Sequence, residues 1–175
     1  DINRLLAGEE IHTLYKTIKK TNTKKFFLYR LDQSFKEIEK SYLKLNRDIS
    51  EGKSLRKGTD WLLDNFYLIE LVYKELKANI KKDRKIVLNV IETGNFKGYP
   101  RIYLLALEYI SHSAGSITED NIIEFINEFQ REEILSLEEI AQFSRYLTLG
   151  LIEYIRNVSK HFLKINESWR EIDNI

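Results

Sequence analysis

From Trp61 to Glu70 the chain reads Trp-Leu-Leu-Asp-Asn-Phe-Tyr-Leu-Ile-Glu, a segment whose apolar side chains would cover nearly every face of a helix. A helix apolar all round is normally buried. A carboxylate inside such a helix must then be paired or hydrogen-bonded. The segment is therefore expected at the centre of the core, with Asp64 held by a guanidinium. Arg101 and Arg156, each on an apolar helix, are the candidate partners, because Arg makes bidentate, charge-assisted contacts with a carboxylate.

The rest of the chain is consistent with long helices. Seven Gly and one Pro in 175 residues leave few breakers, and apolar residues recur at helical spacing. Helices are expected over about 9–20 (Ile11, Leu14, Tyr15 and Ile18 on one face) and about 32–49 (Phe35, Ile38, Tyr42, Leu45 and Ile49). The second ends at Gly52, a C-terminal cap. A third spans about 59–80 from an N-cap at Thr59 or Asp60, and 86–91 suits a short helix. After the loop Gly94–Gly98, Pro100 opens a helix to about His112. Thr118 followed by Glu119 and Asp120 marks another start. Ser136 with Glu139 fits a capping box, opening a helix to about Leu163 that Gly150 would weaken. No useful strand alternation is seen. The expected fold is all-α, a bundle or stacked helical hairpins of about six to eight helices, forming a single helical domain over 1–175. A chain beginning at Asp1 rather than Met suggests a fragment of a larger protein.

Composition removes several function classes. With no Cys there is no disulfide, thiolate metal site or cysteine nucleophile. A net charge of +1 gives no bulk attraction to nucleic acid. The lysines at 16, 19, 20, 24 and 25 and the run Lys81, Lys82, Arg84, Lys85 read as solvated helix ends. No apolar run reaches the roughly 20 residues of a membrane span. Glu108 and His112 share a helix face, half of a metal site, without a second pair. Asp60 and Asp64 are neighbours, but nothing divides them into acid and nucleophile. There is no Gly-rich phosphate loop or nucleophile elbow. No catalytic residue, metal or cofactor is expected, and the aromatics read first as packing groups.

Four segments, in order, carry a family resemblance. Trp61-Leu62-Leu63-Asp64-Asn65-Phe66-Tyr67-Leu68-Ile69-Glu70 resembles a stretch near the N-terminus of cyclic β-1,2-glucan synthases. Gly98-Tyr99-Pro100-Arg101-Ile102-Tyr103, with Ala106-Leu107-Glu108, is similar to the family's Gly-Tyr-Pro-Arg-Val-Tyr segment. Leu135-Ser136-Leu137-Glu138-Glu139-Ile140 resembles its Leu-Thr-Leu-Gly-Glu-Leu. The stretch Leu149–Arg156, with Glu153 and Arg156, resembles its Leu-Ile-Glu-Asn-Leu-Arg. The match is good over 55–160 and loose over the first 50 residues. It departs at Ala141 and Ser144, where the family has Trp and Pro.

The resemblance implies a large inner-membrane parent that uses UDP-glucose to build and cyclise a β-1,2-glucan, with a phosphorylase-like domain at its C-terminus. This region would be a non-catalytic accessory domain on the cytoplasmic face, packing against other domains of the parent or guiding glucan. The family-motif residues Trp61, Asp64, Asn65, Phe66, Tyr67, Glu70, Tyr99, Pro100, Arg101, Tyr103, Glu108, Glu139, Glu153 and Arg156 would then be structural. The alternatives are a glucan-binding module, which needs exposed aromatics along a groove, and a free-standing helical protein-interaction domain.

Overall fold

The structure is a computed structural model that describes residues 18–113 and 116–173, the side chains of Trp169 and Asp173 excepted. Among these the elements run β1 (Ile18–Asn22), α1 (Lys24–Ser50), α2 (Asp60–Lys82), β2 (Val87–Ile91), α3 (Arg101–His112), α4 (Glu119–Phe129) and α5 (Leu137–Asp173). The fold is mainly helical, but five helices are present among the described residues rather than six to eight, and two segments read as helical are strands. The chain divides into two compact units, Asp1–Lys25 with Arg84–Gly150, and Phe26–Asp83 with Leu151–Ile175.

In the first unit β1 and β2 pair antiparallel, with Ile18 opposite Ile91, Lys20 opposite Asn89 and Asn22 opposite Val87. Residues 86–91 are too few for a stable helix, and the β-branched Ile86, Val87, Val90 and Ile91 favour an extended backbone. Leu88 to Ile91 are all buried, as in a strand covered on both faces. The helix expected over 9–20 is corrected at its end, since Ile18–Lys20 is strand; its residues 9–17 lie outside the described residues. Asn22 closes the sheet, its Oδ1 accepting from the Ile86 N–H (3.1 Å) and from the Lys24 N–H that begins α1 (3.2 Å).

The Gly94–Gly98 loop is a tight reversal, with φ of 82° at Gly94 and 84° at Gly98, values that favour glycine. It returns the chain along β2. The Ile91 N–H donates to the Tyr99 carbonyl (2.9 Å) and Pro100 bridges to Val90. Arg101 to Ala106 follow as six consecutive buried residues. The helix buried on every side is therefore α3. Tyr103 packs on Tyr146 of α5 at 5.7 Å between ring centroids.

Gly150 does not weaken α5, which runs unbroken to Asp173. A methyl group there would fall 2.7 Å from Ile110 Cδ1 and 3.3 Å from Leu107 Cδ2, so glycine permits close approach to α3. The two remaining start signals hold. Thr118 Oγ1 accepts from the Asn121 N–H at 3.3 Å. At α5 the Ser136 N–H donates to Glu139 Oε2 (2.8 Å) and the Glu139 N–H to Ser136 Oγ (3.2 Å), a complete capping box.

The second unit is built from α1, α2 and the later part of α5. On α1 the buried stripe is Phe27, Leu31, Ser34, Phe35, Ile38, Ser41, Leu45 and Asp48. Ile49, expected on it, is 46% exposed. Helix α1 ends in a Schellman motif, with Gly52 N–H on the Ile49 carbonyl (2.9 Å) and Lys53 N–H on that of Asp48 (2.9 Å). Helix α2 matches its expected span, but Thr59 does not cap it through its side chain; its hydroxyl donates backward to the Arg56 carbonyl at 2.6 Å. The aromatic core pairs Phe35 with Tyr73 (4.0 Å) and Tyr42 with Phe66 (3.9 Å), both stacked.

Candidate functional site

Helix α2 has two apolar faces, and described residues cover only one of them. Leu62, Phe66, Ile69, Leu76 and Ile80 form the buried stripe. On the opposite arc Trp61 is 48% exposed, Tyr67 72%, Leu68 60% and Leu71 52%. Asp64 lies between them and is exposed too. This overturns the expected burial of Asp64 and its pairing with Arg101 or Arg156. The all-round apolar pattern is real, but no described segment of the chain covers its second half. Asn65 bonds locally, its amide donating to the Trp61 carbonyl at 2.8 Å, and Glu70 pairs with Lys74 at 2.9 Å along the helix.

The two arginines are engaged elsewhere. In the first unit Arg101, almost wholly buried at the start of α3, forks onto Glu139. Its Nε donates to Oε1 at 2.6 Å and its Nη2 to Oε2 at 2.9 Å. The same Nη2 reaches the Ile134 carbonyl (2.8 Å), and Nη1 lies 3.7 Å from Glu133. The fork onto Glu139 and the Ile134 carbonyl engage Nε and Nη2, while Nη1 is buried without a hydrogen bond and meets Glu133 only as a more distant charge, so the pair is tolerated in the interior chiefly through its bidentate contact. Tyr99 and Pro100 lead into it, Tyr99 packing edge-on to Phe96 at 5.6 Å.

In the second unit Glu153, also buried, accepts from Arg30 (Nη2 to Oε2, 2.7 Å) and lies 3.9 Å from Arg156. Arg156 donates to Ser34 Oγ (3.2 Å) and faces Glu37, which also takes Lys160 at 3.0 Å. A second buried carboxylate, Asp48, accepts from Arg170 at 2.9 Å. Burial by itself would raise the Asp48 pKa; the hydrogen bond and charge of Arg170, aided by Lys53, outweigh it and hold the group below its ordinary value. Burial pushes the Tyr146 phenol far above its usual range, with the Thr23 hydroxyl drawing it partly back.

Sequence reasoning thus singled out Arg101, Glu139, Glu153 and Arg156 without their partners. Arg101 and Glu139 are brought together; Glu153 and Arg156 are neighbours within one network. Arg30, Asp48 and Arg170 were missed, and a polar residue interrupting an apolar stripe, as Asp48 does on α1, is the signal that marks such sites. Glu108 is half-buried on α3, and His112 and His161 are exposed. Among the described residues no group of three or more His, Cys, Asp or Glu is placed to hold a metal ion. No helix among them is long and apolar enough to cross a membrane.

Over 138 residues the chain is 26% identical to the cyclic beta-(1,2)-glucan synthase NdvB of Rhizobium meliloti (strain 1021). That alignment takes in 77% of this chain, which spans only 5% of the relative's length. No protein-family model matches the chain. No solved structure matches it either.

Proposed function

We propose, from its kinship with a cyclic β-1,2-glucan synthase, that this chain is a non-catalytic accessory region of such a membrane enzyme. Its role is to pack against other parts of a longer polypeptide on the cytoplasmic side of the membrane, while UDP-glucose is used elsewhere in the parent. The observation that carries this reading is the uncovered arc of α2. Trp61, Tyr67, Leu68 and Leu71 present an exposed apolar arc, with Asp64 set among them, on a helix whose other face is already packed. Arcs of that kind mark interaction surfaces. The charged motif residues support it as well, because Arg101 and Glu139, and Glu153 with Arg156, are spent on internal pairs rather than turned to a ligand.

Reading the gene past the codon for Ile175 tests the proposal. Several apolar spans of about 20 residues ahead of a large soluble region are expected. A stop codon shortly after Ile175 would sink it.

A second reading, a glucan-contacting surface, is favoured by one observation: Trp61 and Tyr67 stand exposed on one helix, about 9 Å apart along its axis at 1.5 Å per residue. Aromatic faces in that setting suit sugar rings. Titration with short linear β-1,2-glucans, followed by Trp fluorescence, separates the readings. Saturation that disappears in Trp61→Ala supports glucan contact, and a flat titration leaves docking alone.

A further inference from the structure

We propose that a cavity of the first unit, between the Lys20/Asn89 face of the sheet and the start of α5, is a binding site for a phosphate group carried on a small monoester or a lipid headgroup. The cavity measures about 300 Å³ and is lined by Lys20, Lys85, Val87, Asn89, Ser136 and Glu138. The register builds it. Lys20 and Asn89 are direct cross-strand partners, so their side chains leave the same face of the sheet, and Val87 lies on that face two residues along.

Three observations give the site its chemistry. Asn89 is only 9% exposed and lines the cavity, yet its side-chain amide makes no hydrogen bond among the described residues. The amide is not cut off from solvent, so it faces the open cavity and is available to a ligand there. Lys20 and Lys85 bring two cations that have no ion-pair partner among the described residues. The first turn of α5, a helix of 37 residues, opens at the cavity. Its capping box takes the N–H groups of Ser136 and Glu139, which leaves that of Glu138, a lining residue, as a donor at the positive end of the helix dipole.

Amide donors, ammonium groups and a helix N-terminus together recognise an oxyanion. A neutral sugar is disfavoured because no aromatic ring among the described residues lines the cavity, and a metal ion because Glu138 is the only carboxylate among those residues that does. Glu138 also opposes an anion, so binding is modest and its neutralisation strengthens it.

The test is an NMR titration of the 175-residue chain with inorganic phosphate, ionic strength held constant with chloride. Saturable shifts are expected at the Glu138 backbone amide and the Asn89 side-chain amide. The exposed pair K20Q/K85Q should weaken binding about tenfold with an otherwise unchanged spectrum, and E138Q should tighten it severalfold. Shifts that never saturate, or equal affinity in K20Q/K85Q, would overturn the site. So would weaker binding in E138Q, which would mean that the carboxylate accepts from a neutral, hydroxylated ligand. Phosphatidylcholine vesicles doped with phosphatidic acid identify the source. Co-sedimentation that free phosphate reverses assigns a lipid headgroup; phosphate binding without co-sedimentation assigns a soluble ester, and the site stands in both cases.

Discussion

Arg101 Nε lies 2.6 Å from Glu139 Oε1, and the two side chains are 3% and 0% exposed. Such a pair is worth little against an apolar isostere and a great deal against half of itself. Glu139→Ala should cost about 3–5 kcal/mol in urea unfolding, leaving the buried guanidinium with Glu133, 3.7 Å away, as its remaining carboxylate and removing the Glu139 half of the capping box. The double replacement Arg101→Leu with Glu139→Leu should recover most of that loss. A double variant as unstable as the single one would show that the stability resides in the cap, not in the pair.

Gly150→Ala sets helix propensity against space. Alanine should add about 1 kcal/mol in a helix interior, but its methyl group would sit 2.7 Å from Ile110 Cδ1. Overpacking of that severity costs about 1–3 kcal/mol, so the variant should melt lower than the parent. Adding Ile110→Val removes the clashing methyl and should return the melting temperature to the parent's or above it.

Helix α2 permits a direct contrast between its two faces. Phe66→Ala, on the buried stripe and stacked 3.9 Å from Tyr42, should cost about 3–5 kcal/mol. Asp64→Asn should change stability by less than about 0.5 kcal/mol, as substitutions of exposed residues do. A loss of several kcal/mol on changing Asp64 would place that residue in a core after all.

Asp48 makes stability depend on acid. Its pKa is held below the ordinary carboxylate value in the folded state. Its contribution is therefore complete above the unfolded-state pKa and disappears as pH falls through the lower, folded-state value. Denaturation midpoints followed downward from neutral pH should fall in that acid window, and Arg170→Met should flatten the fall. An unchanged acid profile in Arg170→Met would assign the dependence to other carboxylates.

Local signals were legible in the sequence to the extent that they depend on a few neighbouring residues. The Ser136–Glu139 box, the Thr118 cap, the Gly52 terminus and the glycine-flanked reversal at 94–98 all rest on side chains within five positions. The strands were not legible, because β1 and β2 pair across some sixty residues of intervening chain and neither alternates: β2 is covered on both faces and β1 is mostly polar. Asp64 was misplaced for a related reason. Periodicity reports which faces are apolar, not whether anything in the same chain covers them. Gly150 carries no local sign of its role, which is defined entirely by Ile110 and Leu107. Arg101 stands out in the sequence as a guanidinium on an apolar helix and Glu139 as the end of a capping box, and the resemblance marks both, but their pairing required the fold.

Glu139 has a further consequence. One carboxylate both starts α5 and receives the guanidinium of α3, so secondary and tertiary structure are formed there by the same atoms. A peptide copied from the beginning of α5 should nucleate feebly, because its capping group lacks the cation that orients it in the whole chain. The first turn of α5 and the Gly-Tyr-Pro-Arg segment are thereby tied through one side chain, so a change that disturbs either should be felt at both.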